Sequence, residues 1–181
     1  MTFHPLLSHV AVAAPAGLAV EAAAAPTDDG GLLLHYRISG GIDRLRLPAP
    51  APAPAGPADG LWQHTCCEAF VAAVDAPEYR EFNFSPSGQW AAYRFADYRE
   101  RATGDLPPAA PQLEFRRTAW GCELLARLDP AQLPAVPALQ LGLSAVLEAG
   151  DGSLSYWALA HAAQRPDFHL RAGFALRLNR P

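Results

Sequence analysis

Residues 61–99 read LWQHTCCEAFVAAVDAPEYREFNFSPSGQWAAYRFADYR, and the fold turns on how this stretch is read. Its aromatic and branched runs are broken at Ala76-Pro77 and at Ser85-Pro86-Ser87-Gly88. Such punctuation predicts three strands, over 61–74, 79–85 and 89–98. The Ser-Pro-Ser-Gly connection is short, so the second and third strands should form an antiparallel hairpin. Two of the four Trp, three of the five Tyr and four of the eight Phe fall in this stretch.

Downstream, 99–111 reads as a Pro- and Gly-bearing loop. Segments 112–118 and 121–128 form the next expected strand pair. The run 129–137 holds too many prolines for more than one helical turn. Segments 139–148 and 153–161 flank Ala149-Gly150-Asp151-Gly152, another hairpin signal. Residues 164–167 form a loop, and 173–178 close the chain as a strand.

Upstream, 48–57 (PAPAPAPAGP) is an extended, polyproline-like excursion. Too little chain precedes it for a separate domain, so it is expected to be a loop inside a single domain spanning 1–181. A short strand is expected at 42–47 and a longer one at 32–39. Asp28-Asp29-Gly30-Gly31 marks a turn, and the Ala-rich 17–25 is ambiguous between helix and strand. About ten short strands without a substantial helix predict an all-β, antiparallel β-sandwich.

Half of the 181 residues are hydrophobic, the net charge is −4, and all 14 basic residues are Arg. An acidic surface of this kind gives no general attraction to nucleic acid or to an anionic membrane. No apolar run is long enough to span a bilayer as a helix. Three Cys, two of them vicinal, suit free thiols in a reducing compartment better than a disulfide framework. With no signal-peptide pattern at the start, the expected location is cytoplasmic.

Side chains alternate across a strand, so residue parity shows which groups can meet. If the central and late strands are neighbours, one face collects Trp62, His64, Glu68, Glu81, Asn83, Trp90, Arg94, Trp157 and His161. Flat aromatics mixed with carboxylates, an amide and a guanidinium suit a sugar. Apolar ring faces stack on Trp, and the hydroxyl rim takes directional hydrogen bonds. A competing reading places the Trp residues in the core, with Glu68–Arg94 as a structural ion pair. Asp167 and His169, with His161, are weak candidates for a metal site. Hydrogen bonds that pin the loop explain them equally simply. Glu68 and Glu81 are the carboxylates a glycosidase-like pair would use, at a separation of roughly 5–9.5 Å.

The blocks LWQHTCCEAFV, YREFNFSPSGQWAAYRFADYR and SYWALAHAAQRPDFH resemble bacterial DOMON-like proteins, which are grouped with the ninth family of carbohydrate-binding modules. The resemblance covers residues 31–178. It implies a β-sandwich able to hold a sugar or a haem, with Trp62 and Trp157 as stacking residues. The leading expectation is a non-catalytic domain that binds a small-molecule or glycan ligand, with no cofactor required. The alternatives are a haem carrier, with His64 and His161 as axial ligands, and an enzyme acting on a sugar derivative.

Overall fold

The computed structural model describes residues 1–52, 55–103 and 109–180. Positions 53 and 54 of the proline-rich run and 104–108 of the loop expected at 99–111 lie outside them. The described strands are β1 (His4–Ser8), β2 (Ala19–Pro26), β3 (Leu32–Ser39), β4 (Cys66–Ala73), β5 (Tyr79–Phe84), β6 (Trp90–Asp97), β7 (Glu100–Arg101), β8 (Gln112–Thr118), β9 (Gly121–Leu128), β10 (Ala138–Glu148), β11 (Leu154–Ala158) and β12 (Leu176–Asn179). Helical structure among the described residues is limited to three-residue 3-10 turns. No described helix is long and apolar enough to cross a membrane.

All strand pairs are antiparallel, in the order β7-β6-β5-β4-β10-β11-β1-β2-β3-β9-β8, with β12 paired to β10. The path folds into the two layers of the expected sandwich, and β1 belongs to both. Its residues 4–6 pair with β2 and its residues 7–8 with β11. The sequence reading did not anticipate β1, because Pro5 interrupts the apolar run. Pro5 lies where β1 is paired on one side only, a place a strand proline tolerates.

The core between the layers follows from period-two burial. Leu32, Leu34, Tyr36 and Ile38 of β3 face inward with Cys122, Leu124, Ala126 and Leu128 of β9. Opposite them stand Cys67, Ala69 and Val71 of β4, Phe82 and Phe84 of β5, and the odd-numbered residues 139–147 of β10. Tyr36 reaches across the sandwich and donates its hydroxyl to the Glu68 carbonyl at 2.7 Å, so a wholly buried phenol is satisfied. All three Cys are buried free thiols.

Strand β4 is buried on both faces, because a second apolar layer covers its outer side. Phe174, in the C-terminal segment, packs there against Phe70 and Tyr79. Gly142 makes the seat. A Cβ at that position would approach the Phe174 ring to 2.9 Å. Arg171 fastens the same segment by donating to the Ala73 carbonyl and the Gln140 side chain.

One ambiguity is resolved and two local expectations are corrected. The ambiguous Ala-rich segment is strand β2, whose Ala22 and Ala23 are fully buried; burial in a sheet overrides alanine's helix propensity. The short strand expected at 42–47 is a 3-10 turn at Ile42–Arg44, followed by a single bridge from Leu45 to Ala149. The strand expected from residue 61 begins only at Cys66. Gly60, at φ 74°, turns the chain into a 3-10 turn over Leu61–Gln63.

Trp157 and Trp62 have opposite fates. Trp157 is 6% exposed in the core and donates Nε1–H to Ser155 Oγ at 3.0 Å, whereas Trp62 is 39% exposed. Trp157→Ala should therefore cost about 3–5 kcal/mol in urea unfolding. Trp62→Ala should cost less than about 1 kcal/mol.

Candidate functional site

The outer face of the β6-β5-β4-β10-β11 layer carries the site. Register sets its floor. Glu68 lies across from Asn83, Phe70 from Glu81, Glu81 from Tyr93, and Tyr79 from Phe95. Glu68, Phe70, Glu81, Tyr93 and Phe95 thus form one contiguous surface, continued by Val146 and Tyr156. Three segments rise around it: the 61–63 turn bearing Trp62, residues 99–101 with Arg99 and Arg101, and residues 166–169. They enclose a cleft of about 550 Å³. Trp62 meets Tyr93 edge-on at 6.3 Å, and the Arg101 guanidinium lies 4.2 Å over the Tyr93 ring.

The 166–169 wall is held by directed hydrogen bonds. The Asp167 carboxylate accepts from the Tyr98 hydroxyl, from Arg99 Nη2 at 3.0 Å and from the His169 backbone N–H at 3.0 Å. His169 packs edge-on against Phe70 and Phe95. Its Nδ1 lies 2.8 Å from the Tyr79 hydroxyl, which also accepts the Arg99 N–H at 3.0 Å. With the phenol oxygen accepting there, we assign its O–H as the donor and an unprotonated Nδ1 as the acceptor. Nε2–H then faces Glu81 Oε2 at 3.8 Å.

Burial dominates the electrostatics. It pushes the Glu68 carboxyl well above the usual carboxylate range, and the nearby Glu81 charge pushes it further. Burial raises Glu81 as well, opposed by the Asn83 hydrogen bond and by the charges of Arg101 and Arg99. Burial lowers His169 to about 4, with Arg99 adding to the effect, so its imidazole is neutral at physiological pH. Burial alone would raise Asp167, but its hydrogen bonds and Arg99 outweigh this and hold it below its ordinary value.

Of the residues singled out from sequence, Trp62, Glu68 and Glu81 line the cleft. Asn83 supports it by donating Nδ2–H to Glu81 Oε1 at 2.8 Å. The other five lie elsewhere. His64 Nδ1 pairs with Glu148 Oε2 at 2.8 Å on an exposed ring. Trp90 lies across from Phe84 and Arg94 from Arg80, on the opposite side of the sheet from Glu81. Arg94 Nε bonds Glu78, not Glu68. Trp157 is in the core. His161 Nε2 bonds the Leu7 carbonyl, its ring against His9.

The cause of the error is the length of one connection. Residues 85–89 join β5 to β6 so that odd faces odd, which brings Tyr93 and Phe95, not Trp90 and Arg94, beside Glu81. Likewise Val146 pairs with Tyr156, so Tyr156 and not Trp157 shares the cleft face. Arg99, Arg101 and Phe168 were also missed; the turn into the short strand β7 brings in the two Arg, and the 166–169 segment brings in Phe168. Asp167 and His169 do reach the cleft, where their hydrogen bonds pin the wall. No group of three or more His, Cys, Asp or Glu placed to hold a metal occurs among the described residues. A bis-His haem does not fit this cleft, because neither His64 nor His161 lines it. The two carboxyls suggested as a pair do share its floor.

No protein-family model matches the chain, and no curated protein matches it. Solved structures do resemble it. One is a candidate carbohydrate-binding protein from Bacteroides uniformis, with a TM-score of 0.68 at 18% identity over 99% of this chain and 86% of that one. Another is a family 9 carbohydrate-binding module from Caldicellulosiruptor kristjanssonii in complex with glucose, with a TM-score of 0.60 at 9% identity over 97% and 83%. The same type of module in complex with cellotriose gives 0.58 at 9% identity. At these identities the likeness establishes the shared β-sandwich fold.

The raised Glu68 fixes a sign. An acid whose folded pKa exceeds its unfolded value contributes stability that is complete below the unfolded pKa and lost as pH rises through the folded one. His169, a base lowered by folding, acts in the opposite direction, and stability is lost as pH falls from about 6.5 toward its folded value. Chemical denaturation of Glu68→Gln at pH 5 and pH 8 should find the variant gaining on the natural protein at the higher pH. The gain should approach about 1.4 kcal/mol per pH unit. Equal differences at both pH values would refute the burial assignment.

Proposed function

We propose that the chain is a non-catalytic carbohydrate-binding domain whose ligand sits in the cleft between Trp62 and the 166–169 wall. The observation that carries this reading is the pairing of an exposed aromatic rim with a buried carboxyl floor in one cleft. A sugar offers matching groups. Its C–H faces pack on Trp62, Tyr93 and Tyr156, and its hydroxyls donate to Glu81 and accept from Arg101. The volume suits one or two sugar rings, within the ordinary range for small-ligand sites.

The shared fold supports the same reading, since the similar modules were solved with glucose and with cellotriose. So does the resemblance of the central and late blocks to DOMON-like proteins. Free buried thiols at Cys66, Cys67 and Cys122 suit the reducing cytoplasm as the place of work.

Titration calorimetry with glucose and cellotriose tests the proposal. Trp62→Ala should weaken binding about tenfold or more, as removal of a central aromatic anchor does. Arg94→Ala, on the far side of the sheet, should leave affinity unchanged. If neither saccharide binds, or if Trp62→Ala binds as tightly as the natural protein, the reading fails.

A further inference from the structure

Building on the saccharide reading, we propose that the preferred ligand carries a free amino group, held as an ammonium between Glu68 and Glu81 on the aromatic floor of the cleft.

The first observation is Glu68 itself. Its side chain lines the cleft while the residue is only 3% exposed. Ser144 Oγ, across the ladder from it, is the one hydroxyl among the described residues that approaches its carboxyl, and no cationic side chain pairs with it. A carboxylate has about four acceptor positions, and a single hydroxyl leaves most of them open toward the cleft. A ligand donor is the missing partner.

The second observation is the distribution of charge. Three carboxyls, of Glu68, Glu81 and Asp167, line the cleft against the guanidiniums of Arg99 and Arg101. Arg99 is engaged by Asp167, and Arg101 lies over Tyr93. The charge acting on Glu68 is that of Glu81, of its own sign, whereas both Arg side chains act on Glu81. His169 faces Glu81, and as a neutral ring. The protein therefore supplies Glu68 with no cation.

The third is the floor. Phe70, Tyr93 and Phe95 flank the carboxyls, and Trp62 overhangs them. Aromatic faces attract cations, and Arg101 already uses one of them. A hydroxyl can donate one hydrogen bond to Glu68, whereas an ammonium brings three donors and the missing positive charge. As it docks, Glu68 ionises and passes its proton to solvent.

Titration calorimetry with glucosamine, glucose and N-acetylglucosamine, at pH 6.5 in two buffers of different ionisation heat, separates the outcomes. Glucosamine should bind about tenfold or more tighter than glucose, one charge-assisted contact being worth that much. Its heat should depend on the buffer, reporting proton release, and the heat of glucose should not. N-acetylglucosamine, which lacks the charge, should lose the advantage. Glu68→Gln should weaken glucosamine more than glucose and abolish the proton release. Equal affinity for glucose and glucosamine in the natural protein would overturn the amine preference and leave the saccharide reading standing. Proton release that persists in Glu68→Gln would overturn the role of Glu68. Binding of none of the three sugars would remove both proposals together.

Discussion

The register of β4 is the constraint on which the rest depends. Its odd residues Cys67, Ala69 and Val71 enter the sandwich core, and its even residues Glu68 and Phe70 enter the cleft. A slip of one residue would exchange the two sets. It would drive the Glu68 carboxyl into a core built of Leu, Phe and Ala, where an isolated charge or an unpaired acid is costly. The pairings of β4 with β5 and β10 oppose that slip along the whole strand. So does the buried Tyr36 hydroxyl, which reads the Glu68 carbonyl from the facing layer. The same alternation that builds the core also delivers the site.

The outer face becomes a cleft only because the C-terminal segment lies across it. Phe174 packs where Gly142 leaves room, Arg171 ties the segment to Ala73 and Gln140, and Asp167 and His169 continue it as a wall. This second apolar layer excludes water from the floor. The low polarity that results raises Glu68 and Glu81 and lowers His169. Packing of one phenylalanine and the charge state of the cleft are therefore parts of one arrangement. Arg171 fastens the segment through one nitrogen, its Nη2 donating to both the Ala73 carbonyl and the Gln140 side chain.

The sandwich was legible in sequence because its signals are local. The strand run at 32–39, the tight connection before 121–128, and Gly/Pro punctuation between runs need no knowledge of distant partners. The site was legible only in part. Glu68 and Glu81 were placed correctly within their own strands. Carrying parity from β5 to β6 required the pairing of Phe84 with Trp90, which composition does not reveal. Trp90 and Arg94 were misplaced for that reason, and Trp157 because the pairing of Val146 with Tyr156 is equally hidden. Trp62 reaches the cleft from a 3-10 turn and not from a strand. Arg101 and Phe168 carry no local signal at all, since the two-residue strand β7 and the 166–169 segment bring them in from separate parts of the chain.

Glu68 opposes the stability of the fold it sits in. It is desolvated, faces another carboxyl, and has no cationic partner among the described residues. A methionine or leucine there would pack against Phe70 at lower cost, as hydrophobic replacements of buried charges commonly do. A buried group that the fold must tolerate is more economically explained by what it contacts outside the chain than by what it contacts within it. Asn83 and His169 address Glu81 and not Glu68, so the two carboxyls are not equivalent. Glu81 is positioned by the protein, and on the proposed reading Glu68 is left for the ligand. On that reading the asymmetry within an aromatic cleft gives the floor a recognition role beyond that of the outer side of a sheet.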